Sequence, residues 1–299
     1  MTFQNILTLE NESIRAEFTP HGAELCALID KKHDCNVLKR RDDTACWDRT
    51  APVLFPICGR VWEQTCYVDG KAYRMGTHGF AKETIFTVSE HDQTHVVFTA
   101  SDSDSIREGA YPFGFLLTVE YTLDGASLTT RVRVKNRDDR PLPFAVGFHP
   151  GFTLPLDKDG ELAEVCLDFC GAKDPAVWKL TPNGFRLGEY EPYPLEGGHI
   201  LRLSGERLAN INSLFFKGAG NAVTFTSSAS DRRIHLDYEG FPYLGLWRPS
   251  NPNAHYLCIE PWIGSPDLNE TSTELSDKED MILLPPGEEH SVAYRIAVA

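Results

Sequence analysis

A histidine near the middle of the chain stands in a run of aromatic, glycine and proline residues. The run extends from Phe144 to Phe152 and reads as a strand that ends at His149. Pro150 favours an extended backbone at His149, and the flanking glycines let another chain or a ligand come close. An imidazole titrates near neutral pH, so a histidine fixed in this way could serve as an acid or a base. A histidine packed beneath a turn would account for the spacing as well.

A carboxylate closes an apolar run near the end of the chain. Glu260 follows the apolar residues Tyr256 to Ile259 and precedes Pro261 and Trp262. Burial beside an indole ring raises the pKa of a carboxyl group unless a cation or hydrogen-bond donors keep it charged. The alternative interpretation is a structural carboxylate paired with an arginine.

Two further polar residues follow apolar or glycine-rich runs. Arg60 ends the apolar segment Pro52 to Gly59, in which prolines make a central strand improbable. We therefore interpret this segment as irregular and buried, and expect it to deliver Arg60 to a surface or cleft. His78 directly precedes Gly79, a position open to close approach by a ligand. A solvated loop charge at Arg60 and a turn-capping role for His78 are the alternatives.

The elements that must position these residues are predicted to be short β-strands. Asp69-Gly70 and Asp124-Gly125 each stand between strand-forming residues, which is a strong signal for a hairpin. Residues 13–18 and 23–29 predict an opening strand pair, and residues 101–109 predict one short helical turn. Residues 153–198 read as long connections with a brief strand at 164–169, and residues 207–216 as a short helix or an irregular loop.

Many short strands with glycine and proline turns predict an all-β fold, a large antiparallel β-sandwich. The crossover helices that a parallel α/β fold needs are missing. We expect residues 1–299 to form a single domain, because sandwiches of more than two hundred residues often remain undivided.

The amino-acid composition indicates which binding partners and which cellular compartment to expect. A formal charge of −14 with no basic block disfavours nucleic acid and anionic membranes. The N-terminus lacks the pattern of a signal peptide, and no apolar stretch approaches the ~20 residues of a membrane span. The eight cysteines are scattered without a CxxC pair. They predict reduced, mostly buried thiols in a cytoplasmic protein and no zinc site.

Taken in order, five motifs resemble the aldose 1-epimerase (galactose mutarotase) family, and most closely its compact bacterial branch. They are the segment Trp47 to Pro56, Gly59-Arg60, Met75 to Ala81, Gly147 to Phe152, and Ile259 to Gly264. The resemblance covers nearly the whole chain. It implies a β-supersandwich with a sugar cleft on its concave face. It also implies that His149 is the general acid, that Glu260 is the general base, and that Arg60 and His78 contact sugar hydroxyls.

Exchange of the anomers of a free hexose such as glucose or galactose suits these residues. We expect Glu260 to take the proton of the C1 hydroxyl and protonated His149 to give one to the ring oxygen, from opposite sides of the pyranose. Each such group contributes typically ~10²–10⁴-fold to the rate. The reaction is expected to need no metal and no cofactor. Trp247, Trp262 or Phe148 could stack on the sugar, although core packing is an equal alternative.

Several alternatives remain open at this stage. A hexose-6-phosphate epimerase would need a cationic cluster, for which Arg49, Arg60, Arg74 and Arg248 are candidates. A carbohydrate-binding protein without catalysis would use the same cleft. The chain lacks the Gly-x-Asp-His run that supplies a sugar-binding aspartate in better-known mutarotases, and Asp237 and Lys217 are possible substitutes. A monomer and a homodimer are both compatible with the sequence.

Overall fold

The computed structural model describes residues 6–40, 46–155, 162–209, 211, 213–251 and 253–299, with the side chains at 206 and 209 left aside. Within these ranges the chain forms 25 strands and very little helix. The strands are β1 Leu7–Glu10, β2 Ile14–Thr19, β3 Glu24–Asp30, β4 Cys35–Asn36, β5 Val53–Leu54, β6 Thr65–Val68, β7 Lys71–Arg74, β8 Thr87–His91, β9 His95–Ser101, β10 Phe115–Asp124, β11 Ser127–Asn136, β12 Leu142–Phe144, β13 Val146–Phe148, β14 Gly151–Thr153, β15 Val165–Cys170, β16 Ala176–Leu180, β17 Arg186–Pro192, β18 Ile200–Leu203, β19 Ser213–Lys217, β20 Ala222–Ser227, β21 Ser230–Asp237, β22 Tyr243–Trp247, β23 Tyr256–Ile263, β24 Ile282–Leu284 and β25 Glu289–Val298.

The helical elements are short. Two α-helices, α1 and α2, and three 3₁₀ turns connect strands in the described part of the chain. They are α1 Asp104–Gly109, α2 Gly205–Ala209, and the turns Trp62–Gln64, Ala81–Glu83 and Leu275–Asp277. None of these helices has the length and apolar composition that a bilayer crossing requires.

Two large antiparallel sheets make up most of the fold. A nine-stranded sheet has the order β18-β15-β20-β21-β25-β11-β10-β9-β8. An eight-stranded sheet has the order β17-β16-β19-β22-β23-β13-β5, with β14 also paired to β23. A four-stranded sheet (β1-β2-β3-β4) and two strand pairs (β6-β7 and β12-β24) complete the described architecture. The predicted all-β antiparallel sandwich is confirmed.

The two large sheets pack face to face through aromatic side chains. Phe148 of β13 lies 4.3 Å from Tyr294 of β25, measured between ring centroids. Phe169 of β15 lies 5.6 Å from Phe216 of β19 by the same measure. These residues are buried in one large apolar cluster. The opposite face of the eight-stranded sheet is therefore free to carry a site.

Both predicted Asp-Gly hairpins are present. Asp69 and Gly70 connect β6 to β7, and Gly125 follows Asp124 in the turn from β10 to β11. The opening strand pair (β2 and β3) and the short helix α1 are also confirmed. These elements share local signals, namely alternation of apolar residues and a defined turn, which a sequence carries by itself.

Two regions contain more strand than the sequence indicates. Residues 153–198 were expected to be mainly connections, but they also hold β16 and β17. Residues 207–216 were expected to be helix or loop, but β19 begins at Ser213 and pairs with β22 along its whole length. β17 is largely exposed beyond Arg186, so it lacks the buried-exposed alternation by which a strand is recognised.

Candidate active site

Glu260 projects from the face of β23 that points away from the core. Leu257 and Ile259 belong to the main apolar cluster between the sheets. Because side chains alternate along a strand, Cys258, Glu260 and Trp262 face the other way. Glu260 is nevertheless only 1 % exposed, and it lines a cleft of about 500 Å³ on this face.

His149 follows β13 and lies directly across from Glu260. Gly147 pairs with Trp262, and Gly151 pairs with Cys258. The same antiparallel register places His149 opposite Glu260, and such cross-strand neighbours are in contact distance. The backbone N–H of His149 donates to the carbonyl of Pro52 at 3.2 Å, which holds this part of the chain against the segment that precedes Arg60.

The two side chains are in direct contact. His149 Nε2 and Glu260 Oε2 are 3.1 Å apart, and both residues line the cleft. The other heteroatom of each group, His149 Nδ1 and Glu260 Oε1, is buried without a hydrogen-bond partner among the described residues. No arginine of the described chain pairs with Glu260, whose ion-pair partner is His149. The alternative of a structural carboxylate paired with an arginine is therefore wrong.

Burial moves the two pKa values in opposite directions. Loss of solvation raises the pKa of Glu260 well above its ordinary value. The same cause lowers the pKa of His149 to about 3. Both shifts favour the neutral form of each group, with the proton of the pair on the carboxyl group. The expectation that protonated His149 donates to the ring oxygen concerns the complex with sugar and stays a prediction.

The arrangement also corrects the expected position of the acid and the base. We expected them on opposite sides of a bound pyranose, but they lie side by side on one wall of the cleft. Adjacency still permits the chemistry, since the C1 hydroxyl oxygen and the ring oxygen of an aldose are bonded to the same carbon. One edge of the sugar presents both oxygens to the pair.

His78 lies beside the pair, at a strained turn. Its ring is perpendicular to that of His149, with 5.3 Å between the centroids. The Gly59 N–H donates to His78 Nδ1 at 3.1 Å, and the His78 N–H donates to the Gly59 carbonyl at 2.7 Å. Burial lowers the pKa of His78 well below its ordinary value, so the ring is neutral. Because Nδ1 accepts, the proton is on Nε2, which makes His78 a donor.

The backbone explains why a glycine follows His78. His78 has φ of 64° and Gly79 has φ of 70°, both in the left-handed region. A Cβ atom on Gly79 would lie 2.2 Å from the carbonyl oxygen of Phe55. The turn that presents His78 therefore needs glycine at position 79. A non-glycine residue held at positive φ is uncommon and often marks a functional site.

Arg60 is exposed at the rim of the cleft, at the end of a buried segment, as expected. Its backbone is held by Asp267, whose N–H donates to the Arg60 carbonyl at 2.8 Å. The Asp267 carboxylate accepts from the Trp62 N–H at 2.9 Å and from Lys278 Nζ at 2.6 Å. Asp267 and Lys278 are both buried. We refer to this arrangement of Asp267 and Lys278 around residues 60–62 as the Asp267 clamp.

Aromatic side chains complete the cleft. Trp247 and Trp262, two of the predicted stacking residues, line it together with Trp47 and Phe215. The Trp47 ring lies 4.8 Å from that of His149 between centroids. Of the two alternatives for Phe148, the structure shows core packing, since this residue lies against Tyr294. Its position follows from alternation, because the residue before His149 must face the opposite side of the strand.

The sequence analysis did not identify several of the residues that line the cleft. Leu180, Pro182 and Asn183 come from the β16–β17 hairpin, and Ser213 from the start of β19. Both elements lie in the regions where strands were missed. Trp47 belongs to a motif quoted for the family resemblance, but nothing in its spacing assigns it to a cleft. Pairing of distant strands brings these residues together.

The four candidate arginines of a cationic cluster do not converge. Of its four arginines, only Arg49 and Arg60 line the cleft. Arg49 is buried and paired with Glu24 and Glu83. Arg248 donates to the backbone carbonyls of Ala254 and Asn251. Arg74 lies on β7 and donates to Gln64 at 3.4 Å, away from the cleft.

The two residues considered as substitutes for a sugar-binding aspartate also lie elsewhere. Asp237 belongs to β21 of the nine-stranded sheet and pairs with Arg295 and His235. Lys217 is exposed at the end of β19, with its ammonium over the ring of Tyr190. Neither residue lines the cleft.

Known proteins with similar sequences and structures have the same overall fold. A galactose mutarotase-like protein from Lactobacillus casei is 29% identical, with 99% of this chain and 100% of that one covered and a TM-score of 0.92. Protein LacX of Lactococcus lactis is 27% identical over 302 residues, which span 98% of this chain and 99% of LacX. A galactose 1-epimerase from Lactobacillus acidophilus is 15% identical, covers 98% of this chain and 94% of its own, and has a TM-score of 0.72, which shows the shared fold alone.

The sequence profile of the aldose 1-epimerase family matches residues 5–297, almost the full length. This match agrees with the resemblance seen in the motifs around Arg60, His78, His149 and Glu260. With its antiparallel sandwich and its cleft, the chain belongs to the aldose 1-epimerase family.

Proposed function

We propose that this protein is an aldose 1-epimerase that interconverts the α and β anomers of a free hexose, such as glucose or galactose. The observation that carries the proposal is the 3.1 Å contact between His149 Nε2 and Glu260 Oε2 in the wall of the cleft. A protein that only binds sugar has no use for a matched acid and base. The family match supports the same reaction class.

The reaction moves two protons at one edge of the sugar. In the complex with the closed ring, Glu260 is the carboxylate and His149 the imidazolium. Glu260 takes the proton from the C1 hydroxyl, the C1=O bond forms, and the bond from C1 to the ring oxygen breaks. His149 gives its proton to the ring oxygen. Rotation about the C1–C2 bond and reversal of these steps close the ring on the other face of C1.

The number of protons on the pair stays constant throughout this sequence. Ring opening leaves Glu260 protonated and His149 neutral, which is the state that burial favours in the free protein. The closed-ring complex carries the same proton on the other member of the pair, His149. The hydroxyl groups of the bound sugar donate to the carboxylate and so replace the hydration that burial removes. Each positioned group is expected to contribute ~10²–10⁴-fold.

The remaining lining residues hold the sugar. His78 Nε2–H and the Arg60 guanidinium are hydrogen-bond donors toward hydroxyl groups, and Trp247 and Trp262 offer apolar ring faces. Fixing the sugar in this way aligns its C1 edge with the pair. The proposed route exchanges protons within the sugar and the pair, so it requires no cofactor.

Polarimetry of freshly dissolved α-glucose or α-galactose tests the proposal. Glu260→Gln keeps the shape of the side chain but cannot accept the C1 proton, so the rate is expected to fall by at least ~10²-fold, close to the solvent rate. Glu239→Gln, at an exposed glutamate away from the cleft, is the matched control and should retain the wild-type rate. Substantial activity in Glu260→Gln would remove Glu260 from the role of base.

Two other outcomes would redirect the proposal. A wild-type protein that binds sugar yet never exceeds the solvent rate would be a carbohydrate-binding protein. A rate on glucose 6-phosphate well above that on glucose would indicate a phosphosugar epimerase. The neutralisation of Arg49 by Glu24 and Glu83 favours the free sugar.

A further inference from the structure

A thiol lies next to the proposed acid and base. One candidate ligand atom from each of His149, Cys258 and Glu260 lies within 4.8 Å of the other two. All three residues are buried. Among the described residues this is the only group of three or more histidine, cysteine or acidic side chains that comes together in this way.

Strand geometry makes the grouping a feature of the fold. Cys258 and Glu260 are two residues apart on β23, so their side chains leave the same face of the sheet. Cys258 is paired with Gly151 of the neighbouring strand β14. A Cβ atom on Gly151 would lie 3.5 Å from Cys258 Sγ.

We propose that His149, Cys258 and Glu260 form a binding site for one divalent transition-metal ion such as Zn²⁺. Imidazole, thiolate and carboxylate are the three protein ligands that zinc uses. His149 and Glu260 line the open cleft, which gives an ion a route of entry and leaves its fourth position to water or another small ligand.

The dimensions fit a tetrahedral ion after a small movement. Metal–ligand distances of about 2.0–2.3 Å place the ligand atoms of such a site roughly 3.3–3.6 Å apart. The His149–Glu260 separation of 3.1 Å is already close to this value. The longest separation of up to 4.8 Å must close by roughly 1 Å, which rotation of the side chains supplies.

Charge and hydrogen bonding favour a dication at this position. On binding, the ion displaces the protons of the Cys258 thiol and the Glu260 carboxyl group to solvent. The resulting thiolate and carboxylate carry two negative charges, which a divalent ion neutralises within a buried site. Glu260 Oε1 and His149 Nδ1 have no partner within the described chain, so a ligand can use the carboxyl group without breaking an existing bond at Oε1. The sulfur ligand selects Zn²⁺ or Co²⁺ over Mg²⁺ and Ca²⁺, which prefer oxygen.

An ion bound here would occupy the groups that act on the sugar. The geometry of the three side chains supports the metal site whether or not the protein is an enzyme. If the proposed epimerase activity is present, Zn²⁺ would inhibit it reversibly, and a chelator would restore it.

Cobalt absorbance tests the site without reference to activity. Co²⁺ is titrated into the intact protein with a thiol-free reductant, and the near-ultraviolet charge-transfer band of a cobalt–thiolate bond is recorded. We expect a band that saturates at one ion per chain in the wild type and in Cys58→Ser, a control at another buried cysteine of the same sheet face. Cys258→Ser should lose the band, and Mg²⁺ should not compete. No band in the wild type, or a band that persists in Cys258→Ser, would refute the site.

The folding of each variant is verified by circular dichroism, and Cys258→Ala replaces Cys258→Ser if the latter is unfolded. A second measurement determines the Zn²⁺ concentration that halves the epimerase rate of each variant, relative to the rate of that variant without metal. Cys258→Ala should need at least about tenfold more Zn²⁺ than the wild type. If the metal-site proposal is refuted, the epimerase rate of the wild type is unaffected by that result. Absence of epimerase activity would leave the cobalt result valid, so the two proposals fail separately.

Discussion

At the scale of single residues, His149 and Glu260 titrate as one unit. His149 Nε2 and Glu260 Oε2 are 3.1 Å apart in a buried site, so a proton gained by one group changes the proton affinity of the other. In the proposed mechanism, the state with one proton on the pair is the reactive one. Adding a second proton requires protonation of His149, whose pKa burial lowers to about 3. Losing the proton requires ionisation of Glu260, whose pKa burial raises.

The pH dependence of the rate follows from these two directions. An ordinary histidine would produce a step in kcat/KM near pH 6.5, whereas burial moves the step of His149 toward its lowered pKa of about 3. The acid limb appears only as the pH falls toward the lowered pKa of His149, and the alkaline limb as it rises through the raised pKa of Glu260. Polarimetric rates, corrected for solvent mutarotation at each pH, would measure the profile. An inflection near pH 6.5 would contradict the buried, neutral His149.

The four proposed site residues could be identified from the sequence, but the distances between them could not be predicted from it. Arg60, His78, His149 and Glu260 each follow a segment that buries its apolar residues, and the structure places all four around one cleft. That His149 and Glu260 touch could not be predicted, because it depends on the register between β13, β14 and β23. Register across distant strands leaves no local signal in the sequence.

At the scale of elements, the Asp267 clamp connects the loop after β23 to the segment that carries Arg60. The Asp267 N–H holds the Arg60 carbonyl, and its carboxylate holds the Trp62 N–H. Lys278 neutralises that carboxylate. The position of Arg60 therefore depends on a buried ion pair, although Arg60 itself is exposed.

Asp267→Asn should weaken sugar binding more than it slows the chemistry. The substitution leaves Lys278 as a buried charge without its carboxylate, which typically costs about 3–5 kcal/mol. We expect a lower Tm and a raised KM, with a smaller change in kcat, because the acid–base pair is not touched. Steady-state kinetics and thermal unfolding would measure both effects, and Asp277→Asn at a neighbouring exposed residue is the control. An unchanged KM in a folded variant would show that Arg60 does not depend on the clamp.

At the scale of the whole molecule, the two faces of the eight-stranded sheet have different roles: one contributes to stability and the other carries the proposed active site. One face of the eight-stranded sheet packs on the nine-stranded sheet, and the other carries the cleft. The sandwich itself was predictable from turns and alternation. β16, β17 and β19 were not, since β17 lies at a sheet edge with little burial, and their contribution to the cleft was missed with them.

The neighbouring residues Phe148 and His149 should separate these two functions. Phe148 is 1 % exposed and packs against Tyr294, so Phe148→Ala should cost about 3–5 kcal/mol of stability. His149→Gln should leave stability much less affected and reduce the epimerase rate by at least ~10²-fold. Urea unfolding and polarimetry on both variants would compare them. A Phe148→Ala variant that retains full stability but loses sugar binding would place Phe148 in the cleft after all.

The interior position of Glu260 in β23 has a consequence for heat and ageing. Many enzymes carry their reactive side chains on loops, which loosen before the rest of the protein. Here the proposed base is anchored to a strand with β22 on one side and β13 and β14 on the other. Local fraying cannot displace it. The proposed base should therefore keep its position until the whole sandwich melts, so a loss of turnover below the melting temperature would indicate movement of the loops that carry Arg60 and His78.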